Sequence, residues 1–191
     1  MVLYRTTYTY NEFGKLATGE GKYDGDVGPG YSEKHSYDAD GRLIKSETQS
    51  EAGYSTETFQ YDEGGNLTKR VGATDGANVG GITQFVYDNK GNCTEATMRS
   101  FLGIDTENYE SQEPYHTDKT VYTYDAQGNV TKAVSGSGES HITYTAEYNE
   151  NNLPTVIKSD DGQGFTTETV FEYDADGRCT KIKTPYDETV F

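Results

Sequence analysis

The sequence predicts an all-β protein in which about 14 strands follow one another as antiparallel hairpins in a curved up-and-down meander. Three observations favour this fold: a strand-forming composition, a turn motif that recurs along the chain, and glycine-rich segments between the motifs. The 191 residues include 17 Tyr and 26 Thr, which suit a half-exposed pleated surface, and no segment keeps a helical period. Because open sheet edges invite aggregation, we expect residues 1–191 to form one domain whose sheet closes, or nearly closes, into a barrel.

Composition and charge exclude several classes of protein. Leu, Ile, Val and Phe make up only about 16% of the chain, so its apolar material is mainly aromatic. The 32 acidic and 16 basic residues give a formal charge of −16, which predicts no nucleic-acid partner because phosphates would be repelled. We also expect no transmembrane helix, since no run of 18 apolar residues exists, and no secretion signal in the first ten residues. Two cysteines are too few for a disulfide framework.

A motif of the form Tyr-Asp-x-x-Gly-[Asn/Arg]-[Leu/Val/Cys] recurs at spacings of 24 to 37 residues. The copies begin at Tyr10, Tyr37, Tyr61, Tyr87, Tyr124, Tyr148 and Tyr173, and the sixth copy is degenerate. Repetition of this kind indicates an architecture built from one supersecondary unit. Each copy predicts one hairpin with the motif at its tip, which gives seven hairpin repeats.

The motif has the chemistry of a tight hairpin turn. Asp or Asn followed by two free residues and Gly is typical of a type I turn that ends in a G1 bulge. The Asp or Asn side chain accepts hydrogen bonds from turn amides, while Gly takes a positive φ without a Cβ clash. We therefore predict positive φ at five motif glycines, namely Gly41, Gly65, Gly91, Gly128 and Gly177.

The turn length predicts which residues face each other across each hairpin. Tyr37 is expected opposite Leu43, and the equivalent inner pairs should form a continuous, buried aromatic–aliphatic belt. The outer pairs should place an aromatic ring beside a long side chain, with each Lys stem lying over its ring. These outer pairs are His35 with Lys45, Phe59 with Lys69, Phe85 with Glu95, Tyr122 with Lys132, and Phe171 with Lys181.

The sixth copy departs from the pattern. It is interpreted as lacking one loop residue, it has Ala146 where other copies have an aromatic residue, and it places Pro154 in the returning strand. Because Pro cannot donate to a ladder, we expect this strand to be an edge, a bulge or a distortion.

The recurring Tyr-Asp-x-x-Gly segments resemble the YD repeats of the RHS/YD-repeat proteins, and the resemblance covers nearly the whole chain. That family forms long, spiralling antiparallel sheets on bacterial surfaces, in secreted polymorphic toxins and in toxin-complex shells. The resemblance implies a bacterial, exported protein with a structural or interaction role. Toxin shells use many more repeats, so short exported proteins of gut bacteria, some with a porin-type closed sheet, are the nearer comparison at this length.

The histidines and cysteines favour structural interpretations. His35 occupies a position that holds Tyr or Phe in other copies, so we expect it to pack as an aromatic ring. His116 and His141 lie in different repeats and share no nucleophile motif with a Ser or Cys, which argues against a catalytic triad. Cys93 and Cys179 replace Leu or Val in distant repeats and are predicted to be free, buried thiols.

The acidic residues do not form a recognisable metal or catalytic motif. Asp38–Asp40 and Asp174–Asp176 resemble the start of a calcium loop, but the further ligands and flanking helices of such a loop are missing. A glycosidase would need two carboxylates held in a cleft at a defined separation. We therefore predict no metal, no cofactor and no enzyme activity.

The region from 98 to 119 is an insertion that accounts for the longest spacing between motifs. Insertions on a repeat scaffold often carry binding, and the candidate binding residues here are Phe101, Tyr109, Tyr115 and His116. The alternative is a long loop or a cap that closes one end of the sheet.

These observations favour a non-catalytic bacterial protein of the cell surface or envelope, whose β-repeats form a scaffold for binding a glycan or another protein. One alternative is a carbohydrate-binding module, in which exposed Tyr rings stack on sugar faces. A second alternative is a fragment of a toxin-encapsulating shell. The extracellular or envelope location follows from the family resemblance.

Overall fold

The computed structural model describes residues 4–23, 30–51, 53–75, 79–102 and 111–191. Within these ranges the chain forms 15 strands and no α-helix, and the strand order in the sheet is the order along the chain. The strands are β1 (Tyr4–Tyr10), β2 (Leu16–Tyr23), β3 (Tyr31–Tyr37), β4 (Leu43–Ser50), β5 (Gly53–Tyr61), β6 (Leu67–Thr74), β7 (Val79–Tyr87), β8 (Cys93–Leu102), β9 (His116–Tyr124), β10 (Val130–Ser137), β11 (Ser140–Tyr148), β12 (Pro154–Asp160), β13 (Thr166–Tyr173), β14 (Cys179–Lys183) and β15 (Glu188–Val190). The predicted all-β antiparallel meander is confirmed, with one short strand beyond the seven hairpins.

The strands divide into two compact units. The first unit contains Met1–Phe85 and Met98–Thr117, and the second contains Val86–Thr97 and Asp118–Phe191. Each unit is built from the same hairpin repeats.

The predicted closure into a barrel is not supported. The strand order begins at β1 and ends at β15, and no ladder between described residues joins these two strands. Hydrogen bonding therefore leaves two edges. The β15 edge is only three residues long, and a short edge strand is one of the ways in which natural sheets avoid aggregation without closing.

The hairpin turns have the predicted geometry. The five motif glycines have φ values between 73° and 90°, which confirms the prediction of positive φ. In the first unit the Gly41 amide donates to the Asp38 carbonyl at 3.0 Å, and in the second unit the Gly128 amide donates to the Asp125 carbonyl at 3.3 Å. The motif therefore sets the same turn in both units.

The sixth turn has its full length, so the prediction that it lacks a loop residue is wrong. Asn152 takes the place of Gly with φ 59°, a conformation that Asn tolerates better than most residues. Pro154 then lies opposite Tyr148 as the first residue of β12, beside a bulge. Because β12 pairs with both β11 and β13, it is not an edge strand, and Pro is accommodated at the bulge.

The inner pairs are confirmed, whereas the outer pairs are displaced by one residue. Tyr37 lies opposite Leu43, but Lys45 lies opposite Ser36 rather than His35, because Ile44 forms a bulge with no partner. The same displacement separates Phe59 from Lys69, Tyr122 from Lys132, and Phe171 from Lys181.

Threonine marks this bulge in most copies. The Thr68 hydroxyl donates to the Gln60 carbonyl at 3.1 Å, which bonds the bulged residue to the partner strand. Thr94, Thr131, Thr155 and Thr180 make the same bond at 3.2 Å with the residue that precedes the motif tyrosine. A side-chain hydroxyl thus helps to fix the register of the hairpin, which the turn alone does not determine.

The motif tyrosines join consecutive hairpins through their hydroxyl groups. Tyr37 donates to the Leu16 carbonyl at 2.8 Å in the first unit, and Tyr124 donates to the Cys93 carbonyl at 2.6 Å in the second. Tyr61, Tyr148 and Tyr173 donate at 2.9 Å to the first residue of the preceding hairpin's returning strand. These bonds explain why the motif uses Tyr and not Phe.

Two cation–π contacts in the first unit also join neighbouring hairpins. Lys15 Nζ lies 5.9 Å from the ring centre of Tyr37, and Arg42 Cζ lies 5.1 Å from that of Tyr61. The expected stacking of Lys over the outer aromatic of its own hairpin is replaced by these contacts, because the bulge displaces the outer pairs.

The most deeply buried side chains lie at the strand centres of the first unit and not in the motif belt. Val71, Ile82 and Phe101 are 4%, 0% and 1% exposed, and Val71 lies directly opposite Ile82. The motif tyrosines from Tyr37 onward are only half-buried, so the expectation of a buried belt is corrected. Their hydroxyls donate to carbonyl groups near the turns, where the tyrosine side chains remain partly exposed to solvent.

Both cysteines are free, as predicted, but they are half-buried rather than buried. Cys93 Sγ donates to the Glu95 carbonyl at 3.3 Å, and Cys179 Sγ donates to the Lys181 carbonyl at 3.5 Å. The thiol therefore has a repeated local partner that Leu or Val at this position would not use.

Candidate functional site

A groove of about 430 Å³ crosses β5 to β8 in the first unit, towards the strand ends that lie away from the motif turns. Glu57 and Tyr115 line it together with four Ser and Thr residues, which are Ser55, Thr56, Thr74 and Ser100. The motif residues at the hairpin tips are not among its described lining residues. The groove is therefore formed by residues outside the repeated motif.

Two glycines form the floor of this groove. Glu57 lies opposite Gly72, and Gly72 lies opposite Gly81, so these three residues share one face of the sheet. Gly72 and Gly81 have no side chain to place on that face. The result is a strip of bare backbone, two strands wide, with the Glu57 side chain beside it.

The fold does not require glycine at these two positions. Neither residue has a positive φ. A Cβ atom on Gly72 would lie 3.6 Å from Glu57 Oε1, and one on Gly81 would lie 3.5 Å from the Arg99 carbonyl oxygen, which are ordinary contacts. Glycine in a strand interior weakens the strand, so two facing glycines need a reason other than local geometry.

The glycines of β2 provide the contrast within the same unit. A Cβ atom on Gly19 would collide with the Glu33 carboxylate, and one on Gly21 would collide with the Tyr4 hydroxyl. Those glycines make room for side chains of the chain itself. At Gly72 and Gly81 the nearest described atoms, Glu57 Oε1 at 3.6 Å and the Arg99 carbonyl oxygen at 3.5 Å, leave room for a Cβ atom.

The groove walls carry one ion pair and one exposed aromatic ring. Arg70 donates through Nε to Glu57 Oε1 at 3.1 Å, and its Nη2 also contacts this oxygen. Tyr115 is 61% exposed, and its backbone amide donates to the Ser100 carbonyl at 3.0 Å. That bond fixes the backbone of Tyr115 beside the groove while the ring remains accessible.

The predicted binding residues lie in different environments in the structure. Tyr115 lines the groove, and His116 is an exposed residue at the start of β9. Phe101 packs in the core with Val71 and Ile82, so it presents almost no surface to a ligand. Tyr109 lies outside the described residues.

The insertion at 98–119 is less irregular than its sequence predicts. Met98–Leu102 continues β8, and residues 116–119 belong to β9. Extended strand ends, and not a separate loop, account for part of the longest spacing between motifs.

The motif carboxylates are engaged by their own turns. Asp38 Oδ1 accepts the amides of Asp40 and Arg42 at 3.0 and 2.8 Å, and Oδ2 accepts Arg42 Nε at 2.7 Å. Where Asn replaces Arg, its amide takes this role, and the Asn66 side-chain bond lowers the pKa of Asp62 below its ordinary value. In the part of the chain that the structure describes, no group of three or more His, Cys, Asp or Glu side chains could hold a metal ion.

A half-buried polar cluster on β3 was not predicted from the sequence. His35 Nε2 lies 3.2 Å from Glu33 Oε2, and their side chains are 16% and 15% exposed. Burial, followed by a hydrogen bond with Glu33, raises the pKa of Tyr31 to about 12. The alternation of Tyr31, Glu33 and His35 on one strand face could have indicated this cluster.

A second groove, of about 560 Å³, lies in the second unit along β11 to β13. Lys158 and Glu168 lie opposite each other there, and their charged groups are 3.1 Å apart. Because these side chains occupy the sheet face and satisfy each other, this groove lacks the bare floor of the first one.

Comparison with known proteins identifies the repeat. Residues 37–77 match the family model described as RHS Repeat. This part of the chain is similar to an RHS repeat. The matched segment contains the second and third motif copies, the strands β4 to β6, and the groove residues Glu57 and Gly72.

Three solved structures match the chain at 14% sequence identity. The crystal structure of TcdB2-TccC3-Cdc42 aligns with 95% of this chain and 12% of that one, with a TM-score of 0.45. TcdB2-TccC3 without its hypervariable C-terminal region gives the same coverage and a TM-score of 0.42. A porin-like protein from Bacteroides uniformis ATCC 8492 aligns over 100% of this chain and 88% of its own, with a TM-score of 0.48. The chain thus spans only 12% of the first two proteins.

No curated protein gives a significant match to this chain. The described residues include no helix that is long and apolar enough to cross a membrane.

Proposed function

We propose that this chain is a non-catalytic β-repeat scaffold of a bacterial cell surface or envelope, and that it binds a ligand in the glycine-floored groove. The observation that supports the proposal most strongly is the bare floor formed by Gly72 and Gly81, which the fold itself does not require. Glycine at such positions is typical of places where a ligand approaches the backbone closely.

The repeated residues are used for structure. Motif carboxylates such as Asp62 accept turn amides, and motif hydroxyls such as that of Tyr61 join one hairpin to the next. Because these groups already have hydrogen-bond partners, we expect the repeated residues to stabilise the fold and not to bind a ligand. Binding is then expected at positions that do not repeat, and the groove is such a place.

The lining of the groove supports binding without catalysis. Its described residues include no His, Lys or Cys that could act as a base or nucleophile beside the Ser and Thr hydroxyls. The single carboxylate, that of Glu57, is paired with Arg70. The RHS repeat supports the surface or envelope location.

The experiment is an array that carries both glycans and peptides, probed with the wild-type chain and with Gly81→Val. We expect saturable binding of at least one class by the wild type and its loss in Gly81→Val, because the new side chain fills the floor. Ala133→Val adds bulk to a strand of the second unit and is the matched control, expected to bind as the wild type does. If no ligand of either class binds, as would be the case for an inert piece of a toxin-encapsulating shell, the proposed function is wrong.

The location has its own test. Membrane-impermeant biotinylation of intact producing cells should label the chain, and a cytoplasmic marker should stay unlabelled. Labelling that appears only after lysis would contradict a surface location.

A further inference from the structure

We propose that β1 pairs with β1 of a second copy of the chain, so that two sheets join edge to edge as a symmetric dimer. This surface is separate from the groove across β5 to β8. Three properties of β1 lead to the proposal. One edge of the strand is unpaired among the described residues, its side chains are arranged symmetrically about Thr6, and it contains no acidic residue.

The outer edge of β1 is long and accessible. All seven residues of Tyr4–Tyr10 are exposed, and β1 pairs with β2 on one side only among the described residues. Alternate residues of an edge strand direct their N–H and C=O groups away from the sheet, where another strand can pair with them. The β15 edge has only three residues, whereas the β1 edge is roughly 24 Å long.

The sequence of β1 lacks the features that keep natural edge strands from pairing. Such strands often contain Pro, Lys or a bulge that twists the edge away. β1 contains neither Pro nor Lys, and its ladder with β2 is regular from Tyr4 to Thr9. Apart from Arg5 it consists of Tyr and Thr, which favour extended strands. The edge is therefore suited to receive a further strand.

The arrangement of side chains favours a second copy as that strand. Tyr4, Thr6 and Tyr8 lie on one face, because side chains alternate along a strand. If two β1 strands pair antiparallel about Thr6, Tyr4 of each copy lies opposite Tyr8 of the other, and the two Thr6 residues face each other. Aromatic pairs and Thr–Thr pairs both stabilise neighbouring strands. Self-complementarity of this kind is what a two-fold interface requires.

The tyrosine rings of β1 are accessible, and one of them is already held in place. Tyr4 and Tyr8 are 48% and 52% exposed. The Tyr4 ring lies across Gly21 and contacts the Tyr23 ring, with ring centres 4.8 Å apart and an angle of 60° between the planes. Because this contact orients the ring before association, less conformational entropy is lost when a partner strand binds.

The charges favour the symmetric pairing over a head-to-tail one. In the symmetric register Arg5 of one copy lies opposite Thr7 of the other, so no like charges are directly opposite. The alternative places β1 on β14 of another copy, in the register that joins β12 to β13. Arg5 would then face Lys183, where the equivalent pair within the chain is Lys158 with Glu168. It would also displace β15 and break the Lys181–Glu188 ion pair, whose charged groups are 3.1 Å apart.

The size of the contact and the net charge predict a weak dimer that salt strengthens. A single pair of edge strands gives an interface at the small end of the range for specific complexes, so we expect a micromolar Kd. Each copy has a formal charge of −16, which opposes association at low ionic strength. Salt screens this repulsion, and at about 1 M the Debye length is only about 3 Å.

The test is sedimentation velocity over a concentration series at low and high ionic strength. The wild type should pass from monomer to dimer. Thr6→Lys and Thr6→Glu should each weaken dimerisation at least tenfold, because each places one charge opposite the same charge at the two-fold axis. An equimolar mixture of the two variants should dimerise again, since opposite charges then face each other. The matched control is Thr189→Lys, which changes an exposed Thr on the β15 edge and should dimerise as the wild type does.

Each alternative outcome would overturn the proposal. A wild type that stays monomeric at high concentration and high ionic strength would do so, as would species that grow beyond the dimer. Dimerisation that survives Thr6→Lys but is lost in Thr189→Lys would place the interface at the other edge. A mixture of the two Thr6 variants that stays monomeric would contradict the symmetric register, provided that both have the circular dichroism and melting curves of the wild type. Amide hydrogen exchange gives a check without any variant: exchange in β1 should slow as the wild-type concentration rises, and constant exchange would contradict pairing through β1.

Discussion

Removing the hydroxyl of Tyr124 should destabilise the protein although no carbon atom of the ring is lost. In the wild type this hydroxyl donates to the Cys93 carbonyl at 2.6 Å, and both residues are half-buried. Because the hydroxyl is partly removed from water, burial raises the pKa of Tyr124 above its ordinary value. Tyr124→Phe leaves the carbonyl without this donor, and the free energy of unfolding should fall by about 1–2 kcal/mol.

For a chain of this size such a change lowers the melting temperature by roughly 2–8 °C. The matched control is Tyr10→Phe, because Tyr10 begins the first copy of the motif and is 65% exposed. Since the described residues contain no hairpin before it, the control should change stability by less than about 0.5 kcal/mol. Thermal and urea denaturation of both variants provide the measurement. Equal losses in the two variants, or no loss in Tyr124→Phe, would refute the role assigned to the motif hydroxyl.

Three further predictions concern the turns and the thiols. Gly128 has φ 90°, so Gly128→Val should lower the free energy of unfolding by about 1–2 kcal/mol or more in a urea titration, and an unchanged midpoint would contradict the turn geometry. Asn66→Ala should raise the pKa of Asp62, followed by NMR, towards its ordinary value. The pKa of Asp62 is lower in the folded protein than in the unfolded chain, so ionised Asp62 stabilises the fold above pH 3.8, and this stabilisation is lost as the pH falls through the folded pKa. Asn66→Ala should therefore make this loss of folding stability at acid pH smaller. Titration of the denatured chain without reductant should find two thiols, from Cys93 and Cys179, and finding none would contradict the structure.

The turns could be predicted from sequence because their chemistry is local. The hydrogen bonds that close the turn join Asp and Gly of the same motif within the hairpin tip, as the Gly41–Asp38 bond shows. The same locality explains the sixth copy, where Asn152 replaces Gly at the positive-φ position. Matching Leu153 to the Leu, Val or Cys of the other copies hides this equivalence, whereas the spacing from Tyr148 to Pro154 shows it.

The register could not be predicted from the turn alone, since the bulge beyond it shifts four of the five predicted outer pairs by one residue. A signal was nevertheless present in the sequence. Thr follows the inner-pair residue in most copies, as Thr68 follows Leu67, and its hydroxyl bonds across the hairpin. Repeated threonines at one position of a motif therefore indicate a bulge, as the repeated glycines indicate the turn.

The groove and the core depend on pairing between hairpins, which local chemistry does not encode. Gly72 and Gly81 face each other only because β6 and β7 pair in one register. Phe101 was predicted to bind a ligand because it lies in an insertion, but the extension of β8 brings it to Val71 and Ile82. Glycine inside two neighbouring predicted strands was the sequence feature that could have indicated the floor of the groove.

The most direct test compares Tyr124→Ala with Tyr115→Ala in two assays, thermal melting and titration with the ligand that binds best on the array of glycans and peptides. Tyr124→Ala should lose about 3 kcal/mol or more and melt markedly lower, yet bind this ligand normally at a temperature where it is folded. Tyr115→Ala should melt as the wild type does and bind at least tenfold more weakly, because Tyr115 lines the groove. The opposite pattern, with Tyr115→Ala melting lower and Tyr124→Ala losing the ligand, would contradict the separation of repeated structural residues from the binding groove.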